Sequence, residues 1–308
     1  MNYKTLDQVL EKVNADSRKK KMAVVAAVDD HTLDAVKLTA EEGYIEPILI
    51  GPKAVVEKVI EELGGINAEY RIEDVEEESA MAQRAVDLVR EGEADFIMKG
   101  KINTIHVLRP IMNDPVLNVA WNTGGVMSHI SIIELPEFHK IIGLTDSGLN
   151  VAPDLNAKKS ILKNAVDAFR NLGYENPKVA VLCANEEVTA KQIETVDAAE
   201  LQKLNESGEI TGCTVCGPIS MDLAMDPEAA ALKGFDNPVA GDPDILLLPS
   251  LVAGNILNKA LRIFGHTKVG SMIVGAKCPI VLASRSTSVQ NKKYSIVLSA
   301  AMAGQENR

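Results

Sequence analysis

The sequence has few of the features that mark membrane, secreted or nucleic-acid-binding proteins. No apolar run approaches the ~20 residues of a membrane span, and the mixed-charge N-terminus lacks the apolar core of a secretory signal. Four cysteines without framework spacing indicate a reducing cytoplasm. The net charge of −11 argues against a general basic face, so we expect neither nucleic acid nor membrane as a partner. Lysines and arginines gathered locally would still suit an anionic ligand.

Motifs for metals and nucleotides are also missing. The five histidines form no HExxH or other ligand pattern, so we expect no metal site. A single CxxC, Cys213 to Cys216, reads as a strand end and is better explained by packing. The segment from Gly270 to Lys277 resembles a P-loop loosely, but it has an extra residue before the lysine and no hydroxyl residue after it. We therefore reject a nucleotide site there.

The chain does contain a regular alternation of apolar strands and amphipathic helices. With 308 residues, 46% of them hydrophobic, it is long enough for a full core and for two domains. We predict strands at residues 22–28, 45–50, 70–72, 95–98, 131–135, 140–144, 179–183, 212–215, 244–248, 272–274 and 279–283. The clearest helix follows Asn156, which we expect to cap it. Strands that alternate with helices predict an α/β fold with mostly parallel sheets.

Three loops carry side chains suited to anions. Lys99-Gly100-Lys101 follows a strand and precedes a helix with Arg109, so it is either a phosphate site or an ordinary exposed turn. The segment Asp146 to Asp154, which includes Ser147 and Asn150, either presents backbone N–H groups to a ligand or makes local turn bonds. Gly254-Asn255 permits either a ligand or close helix packing.

A fourth stretch, residues 270–288, ends in a hydroxyl-rich helix start with Ser284 and Arg285. A helix N-terminus exposes N–H groups and the positive end of the helix dipole, so this stretch predicts an anion site.

Taken together, these residues resemble the phosphate acetyltransferase and phosphate butyryltransferase family. The match consists of Pro249, Gly254, Asn255 and Lys259, then Gly275, Pro279, Ile280, Ser284 and Arg285, the segment 146–153, and Leu108-Arg109-Pro110. Residues 176–183 and 195–201 look closer to the butyryl branch. The resemblance covers nearly the whole chain beyond about Val24.

The resemblance implies reversible transfer of an acyl group, in which acyl-CoA and phosphate give acyl phosphate and CoA. Coenzyme A is then a substrate and product, and no cofactor is tightly bound. It also implies a homodimer and two three-layer α/β/α domains with an active-site cleft between them. The expected domains are 1–144 plus 284–308, and 145–283. We expect a butyryl or other short or branched acyl group, in the cytoplasm.

The resemblance also implies roles for particular side chains. Arg285 would neutralise phosphate, and Ser284 would hydrogen-bond the tetrahedral intermediate or the thiolate. The residues expected to bind substrate are Lys99, Lys101, Arg109, Asp146, Ser147, Asn150 and Asn255.

The chain departs from the family where a base for the CoA thiol is expected. The acetyl branch has aspartate at the position of Asn291, and the butyryl branch often has it at Thr287. The base is thus unassigned. Three alternatives stay open, namely a phosphate acetyltransferase, a catalytically impaired regulatory relative that binds CoA or acyl phosphate, and an oxidative decarboxylase, which would need clustered metal-binding aspartates.

Overall fold

The structure is a computed structural model that describes residues 2–14, 19–284 and 287–303. The strands in this part of the chain are β1 (Lys20–Val25), β2 (Ile45–Gly51), β3 (Arg71–Asp74), β4 (Phe96–Lys99), β5 (Ser128–Glu134), β6 (Ile142–Thr145), β7 (Lys178–Leu182), β8 (Thr214–Ile219), β9 (Ile245–Leu247), β10 (Lys268–Val274) and β11 (Ile280–Val281). The helices are α1 (Leu6–Asn14), α2 (Asp30–Glu41), α3 (Lys53–Glu62), α4 (Glu78–Arg90), α5 (Thr104–Asn113), α6 (Val119–Asn122), α7 (Leu155–Asn171), α8 (Ile193–Glu206), α9 (Met221–Met225), α10 (Pro227–Leu232), α11 (Leu251–Phe264) and α12 (Val289–Met302).

One compact unit contains residues 7–124 and 269–308. Its strands lie in the order β3-β2-β1-β4-β11-β10. The pairs are parallel except β10 with β11. Val24 at the centre of β1 lies opposite Leu49 of β2 and Met98 of β4.

The other compact unit contains residues 1–6 and 125–268. Its strands lie in the order β5-β6-β9-β7-β8, and the pairs are parallel except β5 with β6. Leu246 of β9 lies between Leu144 of β6 and Ala180 of β7. Because β6, β9 and β7 run in one direction, the loops that follow them leave from one edge of the sheet.

Burial along the strands explains the layered architecture. Every residue of β4, β6 and β9 is buried, as are Met22–Val25 in β1. A parallel strand buried on both faces needs helices on both sides of the sheet. The prediction of an α/β fold with mostly parallel strands is therefore confirmed.

The start of α7 differs from the sequence prediction. The cap is Asp154 rather than Asn156, because the Asp154 side chain accepts a hydrogen bond from the backbone N–H of Ala157 at 2.8 Å. Both residue types cap well, and the extended backbone at Asp154 places its carboxylate in reach of the first turn. Ile161, Ala165 and Phe169 then bury one face of the helix, as predicted.

Several strand ends also differ from the predicted ones. The first strand ends at Val25 instead of residue 28, because Ala26 adopts a positive φ of 54° and turns the chain. The fifth strand begins at Ser128, before the predicted residue 131. The three short helices α6, α9 and α10 were not predicted, since helices this short have little periodicity to recognise.

The chain passes between the compact units at residues 6/7, 124/125 and 268/269. The domain limits expected from the sequence, 144/145 and 283/284, stay a prediction. The compact units have other limits because β6 pairs with both β5 and β9, which keeps residues 128–145 in one unit. None of the helices in the described part of the chain has the length and apolar character needed to cross a bilayer.

Candidate functional site

The loop after β6 is organised around the carboxylate of Asp146. This side chain is 2% exposed, and its Oδ1 accepts hydrogen bonds from the backbone N–H groups of Gly148 at 2.7 Å and Leu149 at 2.9 Å. Its Oδ2 accepts from the backbone N–H of Asn150 at 3.2 Å and from the Asn150 Nδ2 at 2.6 Å. Because these donors satisfy the buried charge, the loop is held in one conformation.

Helix α11 brings a second predicted motif against this loop. A Cβ on Gly254 would lie 2.4 Å from the carbonyl oxygen of Asp146 and 2.9 Å from the Cα of Ser147, so only glycine allows the approach. The next residue, Asn255, donates from Nδ2 to the carbonyl oxygen of Ser147 at 3.4 Å. Two predicted motifs that are about 100 residues apart in the chain therefore meet in one compact unit.

A histidine and an asparagine extend this group of side chains. The Nδ1 of His129 lies 3.0 Å from the Oγ of Ser147, which also accepts a hydrogen bond from the Nδ2 of Asn258 at 3.3 Å. The same Nδ2 donates to the Oγ of Ser131 at 3.0 Å. The buried Oδ1 of Asn258 has no hydrogen-bond partner among the described residues. We call this group the Asp146 cluster; its members are His129, Asp146, Ser147, Asn150, Asn255 and Asn258.

The cluster holds a histidine whose protonation is perturbed. Burial lowers the pKa of His129 below its usual value, and the negative charge of Asp146 partly opposes that shift. The imidazole is therefore mainly neutral near pH 7. A neutral imidazole can both accept and donate a proton, which is the property that acid–base chemistry requires.

In the other compact unit, the Lys99-Gly100-Lys101 loop lies against the carboxyl end of β1. The backbone N–H groups of Gly100 and Lys101 donate to the carbonyl oxygens of Val25 and Ala26 at 2.8 and 3.0 Å. A Cβ on Gly100 would lie 2.3 Å from the carbonyl oxygen of Ala26. Glycine is therefore required for this contact between the two strand ends.

The cationic side chains predicted near this loop differ in exposure. Lys99 is only 9% exposed, and its Nζ donates to the carbonyl oxygen of Gly100 at 3.2 Å. Lys101 is exposed, as is Arg109 on α5. The loop thus joins a strand to a helix as predicted. Of the three cations in and after it, Lys101 and Arg109 are open to solvent.

Ser284 lies in the same unit, just before α12. It is exposed, and its carbonyl oxygen accepts a hydrogen bond from the N–H of Thr287 at 3.0 Å. Arg285, the second residue expected to be catalytic, lies outside the described residues. Asn291 stands where the acetyl branch was expected to have aspartate, and its Oδ1 accepts from the backbone N–H of Val269 at 3.2 Å.

The remaining cysteine and metal predictions concern other parts of the chain. Cys213 and Cys216 are buried, and burial raises the pKa of their thiols to about 11 and about 12. These thiols are therefore protonated near pH 7. Among the described residues, no group of three or more histidine, cysteine or acidic side chains is arranged to hold a metal ion.

Residues 69–301 match the phosphate acetyl/butaryl transferase family. The chain belongs to this family. The finding confirms the resemblance inferred from the motifs, and the matched residues include the whole Asp146 cluster.

Individual relatives extend the match over nearly the full length. The chain is 37% identical to the phosphate butyryltransferase of Clostridium acetobutylicum, over 98% of this chain and 99% of the relative. It is 40% identical to the phosphate acetyltransferase of Thermotoga maritima, over 94% of this chain and 97% of the relative. Its fold resembles the crystal structure of a branched-chain phosphotransacylase from Enterococcus faecalis, with a TM-score of 0.79, 31% identity, and coverage of 93% and 100%.

Two members of the cluster, His129 and Asn258, are not among the site residues predicted from the sequence. His129 lies in an apolar stretch and belongs to no metal-ligand pattern. Its signal was the run Ser128-His129-Ile130-Ser131, where polar residues interrupt a buried strand. Asn258 had a weaker signal, since it follows Asn255 by three residues and so lies near it on the helix.

Proposed function

We propose that this chain catalyses reversible transfer of a short acyl group between coenzyme A and inorganic phosphate. The observation that carries the proposal is the contact between the Asp146–Asn150 loop and Gly254-Asn255. Both motifs belong to the resemblance with the family, and family members are phosphate acyltransferases. Coenzyme A and the acyl-CoA are substrate and product in this reaction, and phosphate is the second substrate.

The reaction requires the protein to bring two anions together and to stabilise a charged intermediate. Phosphate attacks the thioester carbonyl, so negative charge develops on the carbonyl oxygen. We assign Ser284 and Arg285 to this step, with Arg285 neutralising phosphate. The residues that we assign to substrate binding are Lys99, Lys101, Arg109, Asp146, Ser147, Asn150 and Asn255.

Charge and position support parts of this assignment. Lys101 and Arg109 are exposed cations that can approach a phosphate group. Asn255 is exposed next to the loop and offers an amide to a ligand. The Asp146 carboxylate is occupied by donors of its own loop, so it contributes to substrate binding by holding that loop in one conformation.

The acyl group is proposed to be butyryl or another short or branched chain. The relatives include a phosphate butyryltransferase, a phosphate acetyltransferase and a branched-chain phosphotransacylase, so chain length has to be measured. The purified protein would be mixed with phosphate and straight or branched acyl-CoA of two to five carbons, and thiol release would be followed. Release that is fastest with four- or five-carbon chains is expected. No release with any of them contradicts the proposal.

The variant Ser284→Ala tests the assignment of the serine. We expect turnover to fall by about 10²-fold, the scale of one lost hydrogen bond to a developing charge, while CoA affinity changes little. Ser160→Ala, which removes a partly exposed hydroxyl on α7, serves as the control and should leave turnover unchanged. Unchanged turnover in Ser284→Ala would remove this residue from the mechanism.

A second candidate function is a regulatory relative that binds CoA or acyl phosphate without turnover. The amide of Asn291 at the position of the expected acid favours it, since no carboxylate lies between Ser284 and Gly304. Calorimetric titration with CoA would show binding, and the thiol assay would show no product. Gain of activity in Asn291→Asp would argue against a purely regulatory role.

We also propose that the protein is a homodimer. Support comes from the outer face of α11, where Val252, Ile256, Ile263 and Phe264 are all more than 60% exposed. Such a patch is typical of a surface that another protein covers, and a second copy would bury it against itself by symmetry. Light scattering should give twice the mass of one chain, and Ile263→Lys should give one chain mass. A monomeric wild type contradicts the proposal.

The cytoplasm is the proposed location. Support comes from the four cysteines, which are all free thiols. Protease treatment of intact and lysed cells would test it, because only lysis should expose the protein to cleavage.

A further inference from the structure

His129 is fixed next to the Asp146 loop by both its backbone and its ring. In the antiparallel pair of β5 and β6, Ile130 lies opposite Thr145 in the last pair of the ladder, and His129 and Asp146 are the residues next to that pair on their segments. The hydroxyl of Thr145 donates to the carbonyl oxygen of His129 at 3.0 Å. The ring Nδ1 lies 3.0 Å from the Oγ of Ser147. The ring therefore has little freedom to turn away from the loop.

The imidazole is also the titratable group of the cluster that a ligand can reach. Ser147 is only 2% exposed, whereas His129 is partly exposed. Gly148, which is exposed, covers the ring so closely that a Cβ there would lie 2.8 Å from the His129 Cγ. Since Nδ1 is bound to Ser147, Nε2 is the nitrogen left for an external group. No hydrogen bond to this Nε2 comes from the described residues.

We propose that His129 is the catalytic base that takes the proton from the thiol of coenzyme A. This proposal rests on the proposed function. In the direction of acyl-CoA formation, the S–H bond breaks and an N–H bond forms at Nε2, and the thiolate attacks the carbonyl carbon of the acyl phosphate. The carbon–oxygen bond to phosphate then breaks and phosphate leaves. In the reverse direction the imidazolium returns its proton to the departing thiolate.

The surroundings of His129 suit this role. Burial lowers its pKa, so the imidazole is free to accept a proton at neutral pH, and Asp146 is the one charged group that stabilises the imidazolium among the described residues. The other elements against it present uncharged amides. These are Asn258 and Asn255 on α11, and Asn164 on α7, which donates to the Oγ of neighbouring Ser128 at 3.0 Å.

The base is needed because the chain lacks an acid at both expected positions. Asn291 and Thr287 cannot accept a thiol proton, and the Asn291 amide is bound to a backbone N–H. Without a base, only the small fraction of thiol that ionises spontaneously at neutral pH would react. A histidine whose Nε2 accepts no hydrogen bond from the described residues removes that limit.

The experiment compares wild type with His129→Gln in acyl-CoA formation between pH 5.5 and 9. The wild type should lose kcat/KM as pH falls through a pKa below about 6.5, because protonation removes the base. The glutamine variant should be slower by about 10²-fold or more at pH 7. Its rate should rise tenfold per pH unit toward the thiol pKa of about 8.5, since only preformed thiolate can react.

The matched control is His139→Gln, which changes an exposed histidine of the same compact unit and should keep the wild-type rate and profile. A His129→Gln enzyme with wild-type rate and an unchanged acidic limb overturns the proposal and leaves the proposed function intact. An inactive wild type overturns the proposed function instead. If His129→Gln does not fold, nitrogen NMR of the wild type decides. The Nε2 resonance should shift on addition of CoA, and an unchanged resonance contradicts the role.

Discussion

Asp146 illustrates at the residue scale how a buried charge can organise a loop. A carboxylate removed from water is costly unless hydrogen bonds compensate, and here both oxygens accept from donors of the next four residues. Another aspartate of the same unit, Asp154, accepts one backbone N–H at the start of α7. The two residues differ in burial, since Asp154 is exposed.

The variant Asp146→Asn should be strongly destabilised. One oxygen becomes an NH₂ group that faces N–H donors, so at least one buried donor loses its partner, which costs about 1–3 kcal/mol or more of unfolding free energy. Asp154→Asn is the control, and it should cost only a few tenths of a kcal/mol because asparagine caps about as well as aspartate. Urea unfolding measures both. Equal losses of unfolding free energy in the two variants would contradict the conclusion that the buried Asp146 carboxylate holds the loop together.

At the scale of secondary-structure elements, an ion-pair network joins the starts of three parallel strands. Lys140, before β6, is 2% exposed and places Nζ 2.7 Å from the Oδ1 of both Asp242 and Asp244, which precede β9. Lys178, the first residue of β7, places Nζ 2.7 Å from Asp242. Asp244 Oδ2 also accepts from the backbone N–H of Lys178 at 2.7 Å. The network therefore links β6, β9 and β7 at the edge opposite the Asp146 loop.

Removing the buried cation should be costly. Lys140→Met leaves Asp242 and Asp244 without that partner, and breaking a buried pair in this way costs about 3–5 kcal/mol of unfolding free energy. The control is Lys163→Met, whose exposed pair with Asp167 should contribute less than about 1 kcal/mol. Urea unfolding at pH 7 separates the two. A loss below 1 kcal/mol for Lys140→Met would show that the pair does not stabilise the sheet.

The same network predicts how stability depends on pH. Burial raises the pKa of Asp242, but hydrogen bonds from Lys140, Lys178 and His139 outweigh it and hold that pKa well below its usual range. An aspartate whose pKa is lower in the folded than in the unfolded state stabilises the fold at pH values above its unfolded-state pKa of about 3.9. This stabilisation is lost as the pH falls from that value toward the folded-state pKa. The difference between wild type and Lys140→Met should thus shrink below about pH 4 in unfolding experiments. A constant difference would exclude Asp242 as the titrating group.

At the scale of the whole molecule, the course of the chain ties its first residues to a distant segment. Residues 1–6 belong to the compact unit of residues 125–268, and residues 7–124 belong to the other. Tyr3 is 6% exposed, and its ring centroid lies 6.2 Å from that of Tyr174. Its carbonyl oxygen accepts from the N–H of Ile141 at 2.9 Å. The N-terminal segment is therefore part of that unit's core.

Tyr3→Ala should destabilise that unit through lost packing. Removal of a large buried aromatic side chain costs about 3–5 kcal/mol of unfolding free energy. The backbone hydrogen bond from Ile141 to residue 3 can persist in the variant. Hydrogen exchange should become faster at the Ile141 amide and along β6. The control is Tyr70→Ala at a residue that is 38% exposed, which should leave exchange in β6 unchanged. Unchanged protection of β6 in Tyr3→Ala would contradict this role.

Much of the fold followed from local patterns in the sequence. Leu155–Asn171 was recognisable because Ile161, Ala165 and Phe169 repeat at helical spacing, and buried strands such as Lys178–Leu182 read as apolar runs. Strand ends were less predictable, as at Ala26, because the turn there depends on a backbone conformation that composition does not encode. The domain limits depended on strand pairing over long distances, and they stay a prediction.

The sequence by itself determined the α/β class, the family and the motifs around Asp146 and Gly254. Periodicity, helix caps and motif spacing depend on residues that are close together in the chain, so they can be recognised in the sequence alone. Only the tertiary structure decided that His129 and Asn258 both contact Ser147. The antiparallel register of β5 and β6 brings the histidine near the loop that carries the serine, and Gly254, which has no Cβ, lets α11 approach Asp146 and Ser147. Such contacts depend on packing between segments distant in the chain, which no local pattern contains.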